Sequence, residues 1–179
     1  MTDKPDRRVA RTISNLWEAL FSLLAEQDWA DITVQMICDR ANTGRSTFYA
    51  HFSTKQALLE AGFALNTQTI RDQVLARATT TPPDRLATVD WLIAHTTDSR
   101  HHFRRLATSG AGGLILDRFR QTLATVLAAE LAQRHRPTSG AALTFLTGGL
   151  FAVLEEALLR GEPLAPLAEP ISHLILKGP

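Results

Sequence analysis

Apolar residues return every third or fourth position along almost the whole chain, and no stretch alternates as a half-buried strand would. Ile13, Leu16, Trp17, Leu20, Leu23 and Leu24 make one face of a first helix, which Glu26-Gln27-Asp28 brings to an end. Thr33 then reads as the N-cap of a short second helix whose apolar face is Val34, Ile37, Cys38 and Ala41. Ile32 and Ile37 flank that cap as a hydrophobic staple, whereas Met36 stands where a capping box would have Glu or Gln. Asn42-Thr43-Gly44 reads as a turn, because asparagine accepts the left-handed conformation at a helix end. Thr43 or Gly44 opens a third helix over 45–52, in which Phe48 and Phe52 fall on one face and bury together. That leaves Arg45, Ser46, Thr47, Tyr49 and His51 facing outward. Ser53 or Thr54 caps a long helix from Lys55 to about Ala78, with Leu58, Leu59, Phe63, Leu65, Ile70 and Val74 as its apolar members.

Thr79-Thr80-Thr81-Pro82-Pro83 is the clearest linker. Beyond it the spacing predicts helices over 84–97, 100–108, 114–134, 139–160 and a proline-interrupted 164–177, punctuated by Gly110, Gly112-Gly113, Arg136-Pro137 and Gly161 to Pro163. The fold class is therefore all-α: a three-helix head over 1–62 and a helical bundle over 63–179.

Composition sets bounds on this reading. With 179 residues, 45% hydrophobic and 21% charged, the chain is an ordinary globular one, and its single cysteine, Cys38, excludes an internal disulfide or a cysteine-built zinc site. The first eight residues lack an apolar core, so no secretory signal is read there and the expected location is cytoplasmic. Residues 137–154 carry no charge, yet they include proline, serine, three glycines and three threonines before Glu155-Glu156, too polar and too short for a membrane span. Net charge is +1, and the first sixty residues carry seven basic against eight acidic side chains. Any case for nucleic acid must rest on where the charges point.

Two short helices joined by a three-residue turn make a helix-turn-helix, whose second helix is of a size to lie in the DNA major groove. Its outward residues all donate hydrogen bonds to phosphates or base edges, although short helix pairs also fill ordinary bundles. Lys55, at the start of the next helix, opposes the helix dipole, which suits a phosphate partner or a plain solvated lysine. Lys4, Arg7, Arg8 and Arg11 form either a flexible basic arm or a solubilising end.

The run from Thr33 to Lys55, above all Thr47-Phe48-Tyr49-Ala50-His51-Phe52 followed by Lys55 and Ala57-Leu58-Leu59, resembles the TetR family of bacterial transcriptional regulators over roughly residues 9–62. Asn42 stands where that family usually has glycine, and Gly44 where serine is common, which removes a capping hydroxyl. The resemblance implies a set of DNA-binding residues. Thr33, with its helix N-terminus, and Tyr49, His51 and Lys55 would hold phosphates. Arg45, Ser46 and Thr47, opened by Gly44, would read bases, with Arg45 suited to a bidentate guanine contact. The partners it implies are a palindromic operator in double-stranded DNA, a second copy of the chain, and a small-molecule effector, repression being the commoner outcome.

One reading helix covers half a site, so a homodimer is expected. The 139–160 helix is apolar nearly all round and the last helix carries a stripe. Leu143, Leu146, Leu150, Leu154, Leu158, Ile171, Leu174 and Ile175 are thus either a dimer interface, as the resemblance implies, or the core of a monomer. An effector pocket in the bundle would draw on Trp91, His95, Phe103, Phe119, Thr122 and Phe145, with Lys55–Ala78 as the lever to the head; the same aromatics equally suit a core. Few of these residues are polar, which favours an apolar or aromatic ligand. Arg104-Arg105 and Arg118/Arg120 offer a site for an anion or a solvated face.

An enzyme is disfavoured. His101-His102 is the one adjacent histidine pair, and helix neighbours point too far apart to chelate. No Gly-rich phosphate loop or nucleophile elbow is present, so no catalytic residue, metal or cofactor is expected. A DNA-silent dimeric adaptor is the other alternative, against which the joint presence of Arg45, Tyr49, His51 and Lys55 argues.

Overall fold

The computed structural model describes residues 4–101, 103–104 and 112–178. Among these there are helices and no strands: α1 (Lys4–Leu24), α2 (Val34–Arg40), α3 (Arg45–His51), α4 (Lys55–Ala78), α5 (Ala87–Asp98), α6 (Gly112–Gln133), α7 (Gly140–Arg160), a 3-10 turn (Ala165–Leu167) and α8 (Ala168–Lys177). Residues 100–101 and 103–104 are also helical; the rest of the helix expected over 100–108 lies outside the described residues, as do Gly110 and the partners His102 and Arg105. The described residues form two compact units, one up to Asn66 and one from Thr67 onward, so α4 contributes to both.

In the first unit α1 already begins at Lys4, so the basic stretch, read as either a flexible arm or a solubilising end, has helical backbone; the Thr12 hydroxyl donates to the Arg8 carbonyl there. Leu16, Leu20, Leu23 and Leu24 bury the inner face of α1 as their spacing dictates. Trp17 presses onto α4 at Gly62, where a Cβ would come within 1.9 Å of the indole. Its ring also meets Phe21 at 5.0 Å and Phe63 at 5.3 Å between centroids. A glycine inside a helix costs about 1 kcal/mol; here it admits a large aromatic contact that any side chain would block.

Helix α2 starts as its sequence requires: the Met36 N–H donates to Thr33 Oγ1 at 3.2 Å, and Ile32 and Ile37 are both buried. It ends with Asn42 at φ 49°, and the Thr43 N–H returns to the Cys38 carbonyl at 2.9 Å, a Schellman-type closure that asparagine tolerates in place of glycine. Gly44 is the N-cap of α3 and offers no side-chain bond. Phe48 and Phe52 are buried with their rings 5.9 Å apart.

In the second unit α5 starts at Ala87, three residues later than its apolar pattern suggests. Leu86 is extended and provides no cap; the fully buried Glu130 of α6 does so instead. Its carboxylate accepts the Ala87 N–H at 2.9 Å, the Thr88 N–H at 2.8 Å and the Thr88 hydroxyl at 2.6 Å. Arg134, one turn on, donates to Glu130 at 3.1 Å and to the Arg85 carbonyl at 2.8 Å, and the Leu86 N–H donates to buried Ser172 of α8. Val74, Ala87 and Val126 are buried together beneath Ile70, Ala78 and Trp91, which packs the second half of α4 into this unit. Helix α6 packs on α5 and α7, and α8 packs on α5. Pro166 sits in the 3-10 turn and Pro170 in the first turn of α8, where a missing N–H is harmless, so the last helix is short, as its prolines predict. By length and composition α7 is apolar enough to cross a membrane, but one of its faces is built into this unit.

Candidate functional site

Helix α3 sets Phe48 inward, and this fixes what faces out. Arg45, Ser46, Thr47, Tyr49 and His51 are all exposed, Tyr49 at 50%. Among the described residues these five side chains make no hydrogen bond or ion pair. Arg45 lies 5.9 Å above the Tyr49 ring, and Tyr49 stands edge-on to Phe48 at 5.4 Å. The buried phenylalanine thus braces the tyrosine, and the tyrosine braces the arginine, whose N–H groups stay uncommitted. Thr33 is exposed at the start of α2, its hydroxyl oxygen used by Met36 and its proton available to an acceptor.

The loop before α2 is held by two cations. Arg40 grips Glu26 through both nitrogens, at 2.8 and 2.7 Å, and donates to Ser22 Oγ at 2.6 Å, tying the end of α2 to α1. Lys55, assigned to a phosphate by resemblance, points the other way in the structure. Its ammonium donates to the Trp29 carbonyl and, at 2.6 Å, to the Ile32 carbonyl, and lies 4.6 Å from the Trp29 ring centre. Burial pushes its pKa below the usual lysine value, with Asp31 opposing. A lysine with two carbonyls and an indole around it is a clasp on the loop that precedes Thr33, a role invisible in its position at the head of α4.

Residues 16–61 match the sequence profile of the bacterial regulatory proteins, tetR family. The head is thus of the tetR type. The chain is also 46% identical over 56 residues to an uncharacterized HTH-type transcriptional regulator, YxbF, of Bacillus subtilis (strain 168); that match takes in 31% of this chain and only 15% of the relative, which extends far beyond it. The whole tetR fold is shared with a TetR transcriptional regulator from Streptococcus agalactiae 2603V, at a TM-score of 0.65 and 23% identity over 96% of this chain and 97% of that one. The regulator FadR from Bacillus subtilis, solved in complex with stearoyl-CoA, has a TM-score of 0.60 and 15% identity over 93% of this chain and 98% of that one.

In the second unit, four of the six anticipated pocket residues come together. His95 stacks on Trp91 at 4.8 Å and on Phe119 at 5.7 Å and meets the edge of Phe103 at 5.8 Å. Thr122 is buried beside them but shares a hydrogen bond with Thr67 of α4 at 2.8 Å. Phe145 is not among them: it stands on the outer face of α7, 79% exposed. Next to the cluster lies a narrow cleft of about 20 Å³ bounded by Leu92, Thr96, Phe103, Leu116, Phe151 and Leu154, with Leu158, Arg120 and Glu155 completing it. Sequence reading missed Thr96, although Val89, Leu92, Ile93 and Thr96 share one helical stripe, and all four are buried.

The residues expected to pair two copies do not share one exposed face of the protomer. Leu150, Leu154 and Leu158 turn inward and are buried, Leu143, Leu146, Ile171 and Ile175 are half-covered, and Leu174 alone of that set is exposed, at 53%. What α7 shows outward includes Ala141, Phe145, Gly148, Gly149, Ala152, Val153 and Leu159, along with Thr144, Glu156 and Arg160. A helix apolar all round gives no phase, so the assignment of faces needed the neighbouring helices.

Burial lowers the pKa of His95 from 6.5, with Asp98 partly opposing. As pH falls through about 6.5 the unfolded chain takes up the proton first, so stability drops on acidification and levels off only below the folded pKa. His95→Phe keeps the stack and removes the titration. It is expected to flatten this acid limb in denaturant melts between about pH 7.5 and 5; a limb as steep as the wild type's would show that His95 does not cause it.

Proposed function

We propose that the chain is a sequence-specific DNA-binding transcriptional regulator, a repressor in the cytoplasm, that grips a palindromic operator as a homodimer and is released by a small-molecule effector. The observation that carries this is α3 itself: a ridge of five outward side chains, all able to donate and none hydrogen-bonded among the described residues, over one buried phenylalanine. Folding does not require such a ridge, and donors to phosphate and base edges are what a major-groove helix needs. Arg45, Ser46 and Thr47 read bases; Thr33, Tyr49 and His51 hold phosphates; Lys55 acts by holding the loop in front of Thr33.

Fluorescence anisotropy with DNA from upstream of the gene tests this. Binding is expected to fall steeply with salt, and Arg45→Ala to cost about 1–3 kcal/mol with specificity relaxed at one base position. Salt-insensitive or absent binding is the result an adaptor or an enzyme would give.

The outer face of α7, with Leu174 of α8, is the proposed surface for the second copy. Phe145, Val153 and Leu159 form an exposed apolar face, and Glu155, Glu156 and Arg160 at its end suit an aqueous interface better than lipid. Among the described residues, and apart from its own helix backbone, nothing lies within 4 Å of a Cβ added at Gly148 or Gly149. Replacing both by alanine is therefore expected to stabilise the helix by roughly 1–2 kcal/mol while weakening self-association through lost close approach. Sedimentation and thermal melts together check this: a tighter dimer after the double substitution would move the interface elsewhere.

Release would act through α4. Its first half carries Lys55, and its second half carries Thr67, bonded to Thr122, and Val74 in the core of the second unit. The regulator holding stearoyl-CoA suggests an acyl-CoA effector by analogy, which the narrowness of the cleft here speaks against.

A further inference from the structure

Helical threonines of the second unit find partners for their hydroxyls: Glu130 for Thr88, each other for Thr67 and Thr122, and for others their own helix. Thr97, Thr125, Thr144 and Thr147 each return the hydroxyl proton to the carbonyl one turn back. Thr96 is 1% exposed, and among the described residues its hydroxyl has no hydrogen-bond partner. Buried hydroxyls are nearly always paired, so a hydroxyl left over on the wall of a cleft marks a place where something else supplies the partner.

The rest of the wall limits what that is. Phe103 and Phe151 bound the cleft, and both meet Phe119, at 5.2 and 5.8 Å, so the lining is continuous with the aromatic stack around His95. The lining cation, Arg120, is already engaged: it pairs with Asp117 at 2.8 Å and lies 5.3 Å over the Phe151 ring. Glu155 on the same wall brings the opposite charge. No lining cation is left over for a carboxylate or a phosphate. The space of about 20 Å³ is that of about one water, so a ligand enters by displacing side chains, and a short flat one displaces least.

We propose that this cleft takes a compact, uncharged aromatic molecule bearing one hydrogen-bonding group, and that Thr96 is the residue that selects for that group. The inference rests on the effector-responsive reading above and narrows its ligand class. It predicts discrimination by hydrogen bonding within a fixed shape, which phenol and toluene provide.

Titration calorimetry on the full chain tests it with four probes: phenol, toluene, benzoate and octanoyl-CoA. Phenol is expected to bind about tenfold more tightly than toluene, the ratio of one net hydrogen bond, while benzoate and octanoyl-CoA give no binding. Thr96→Val keeps the shape, removes an unpaired hydroxyl and should leave the fold intact by melting; it is expected to erase the preference, with the two neutral probes binding alike. Equal binding of phenol and toluene by the wild type overturns the proposal, as does a phenol preference that survives in Thr96→Val. Stronger binding of benzoate or octanoyl-CoA than of phenol also overturns it. The regulator reading is judged separately. Salt-steep DNA binding without any phenol binding sinks only the ligand class, and phenol binding without DNA binding sinks only the regulator.

Discussion

Replacing Glu130 with alanine is expected to destabilise the second unit by about 3–5 kcal/mol, a large share of the 5–15 kcal/mol that typically separates folded from unfolded domains. The fully buried carboxylate accepts two backbone N–H groups of α5, the Thr88 hydroxyl and the Arg134 guanidinium. Alanine would leave all of them facing a void, and Arg134, mostly buried, would lose the charge that balances it. The carboxylate also sits against the positive end of the α5 dipole, so part of the loss comes from the helix start itself. Glu130→Gln fills the space but puts an amide donor against donors, and a smaller loss is expected. Thermal unfolding followed by helical circular dichroism checks both. A Glu130→Ala melting point within about 2 °C of the wild type would mean that the cap contributes little, because 1 kcal/mol moves such a domain by about 4–8 °C.

Lys55→Met is expected to weaken operator binding by about tenfold or more, roughly 1.4 kcal/mol, without changing how binding responds to salt. The ammonium holds the Trp29 and Ile32 carbonyls, and the loop so held leads directly into the Thr33 cap. Without it the loop keeps the Arg40 grip on Glu26 and Ser22 but loses its second anchor. The head should also lose about 1–2 kcal/mol of stability, less than a fully buried charge-assisted bond because solvent reaches the loop. The salt slope separates this role from a phosphate contact. Loss of one phosphate-neutralising cation flattens the log–log slope by about 0.9, whereas a misplaced loop lowers affinity at every salt concentration alike. A flattened slope in Lys55→Met would return Lys55 to the DNA.

Much of the head was legible because its determinants are local. The Thr33 cap, the left-handed Asn42 and the Phe48/Phe52 pair each depend on residues within one or two turns, and each stands in the structure where the spacing puts it. The outward ridge of α3 follows from the same periodicity, since burying Phe48 leaves the intervening positions nowhere else to go. Lys55 was different. Nothing at the N-terminus of a helix announces that its side chain folds back onto carbonyls more than twenty residues earlier.

The same division runs through the body. Trp91, His95, Phe103 and Phe119, aromatics at helical spacing, meet in one stack, yet Phe145, equally aromatic, faces outward. Glu130 and Thr96 both sit on apolar stripes, a signal that a polar residue is buried but silent about its partner. Helix content, the linker and the composition of α3 were thus determined by the sequence alone, because backbone propensity and side-chain period act over a few residues. Which face of α7 is inside, what caps α5, where Lys55 spends its charge and which hydroxyl is left without a partner were decided only by tertiary structure. Each depends on a group brought near by another helix, and periodicity within one helix carries no information about its neighbour.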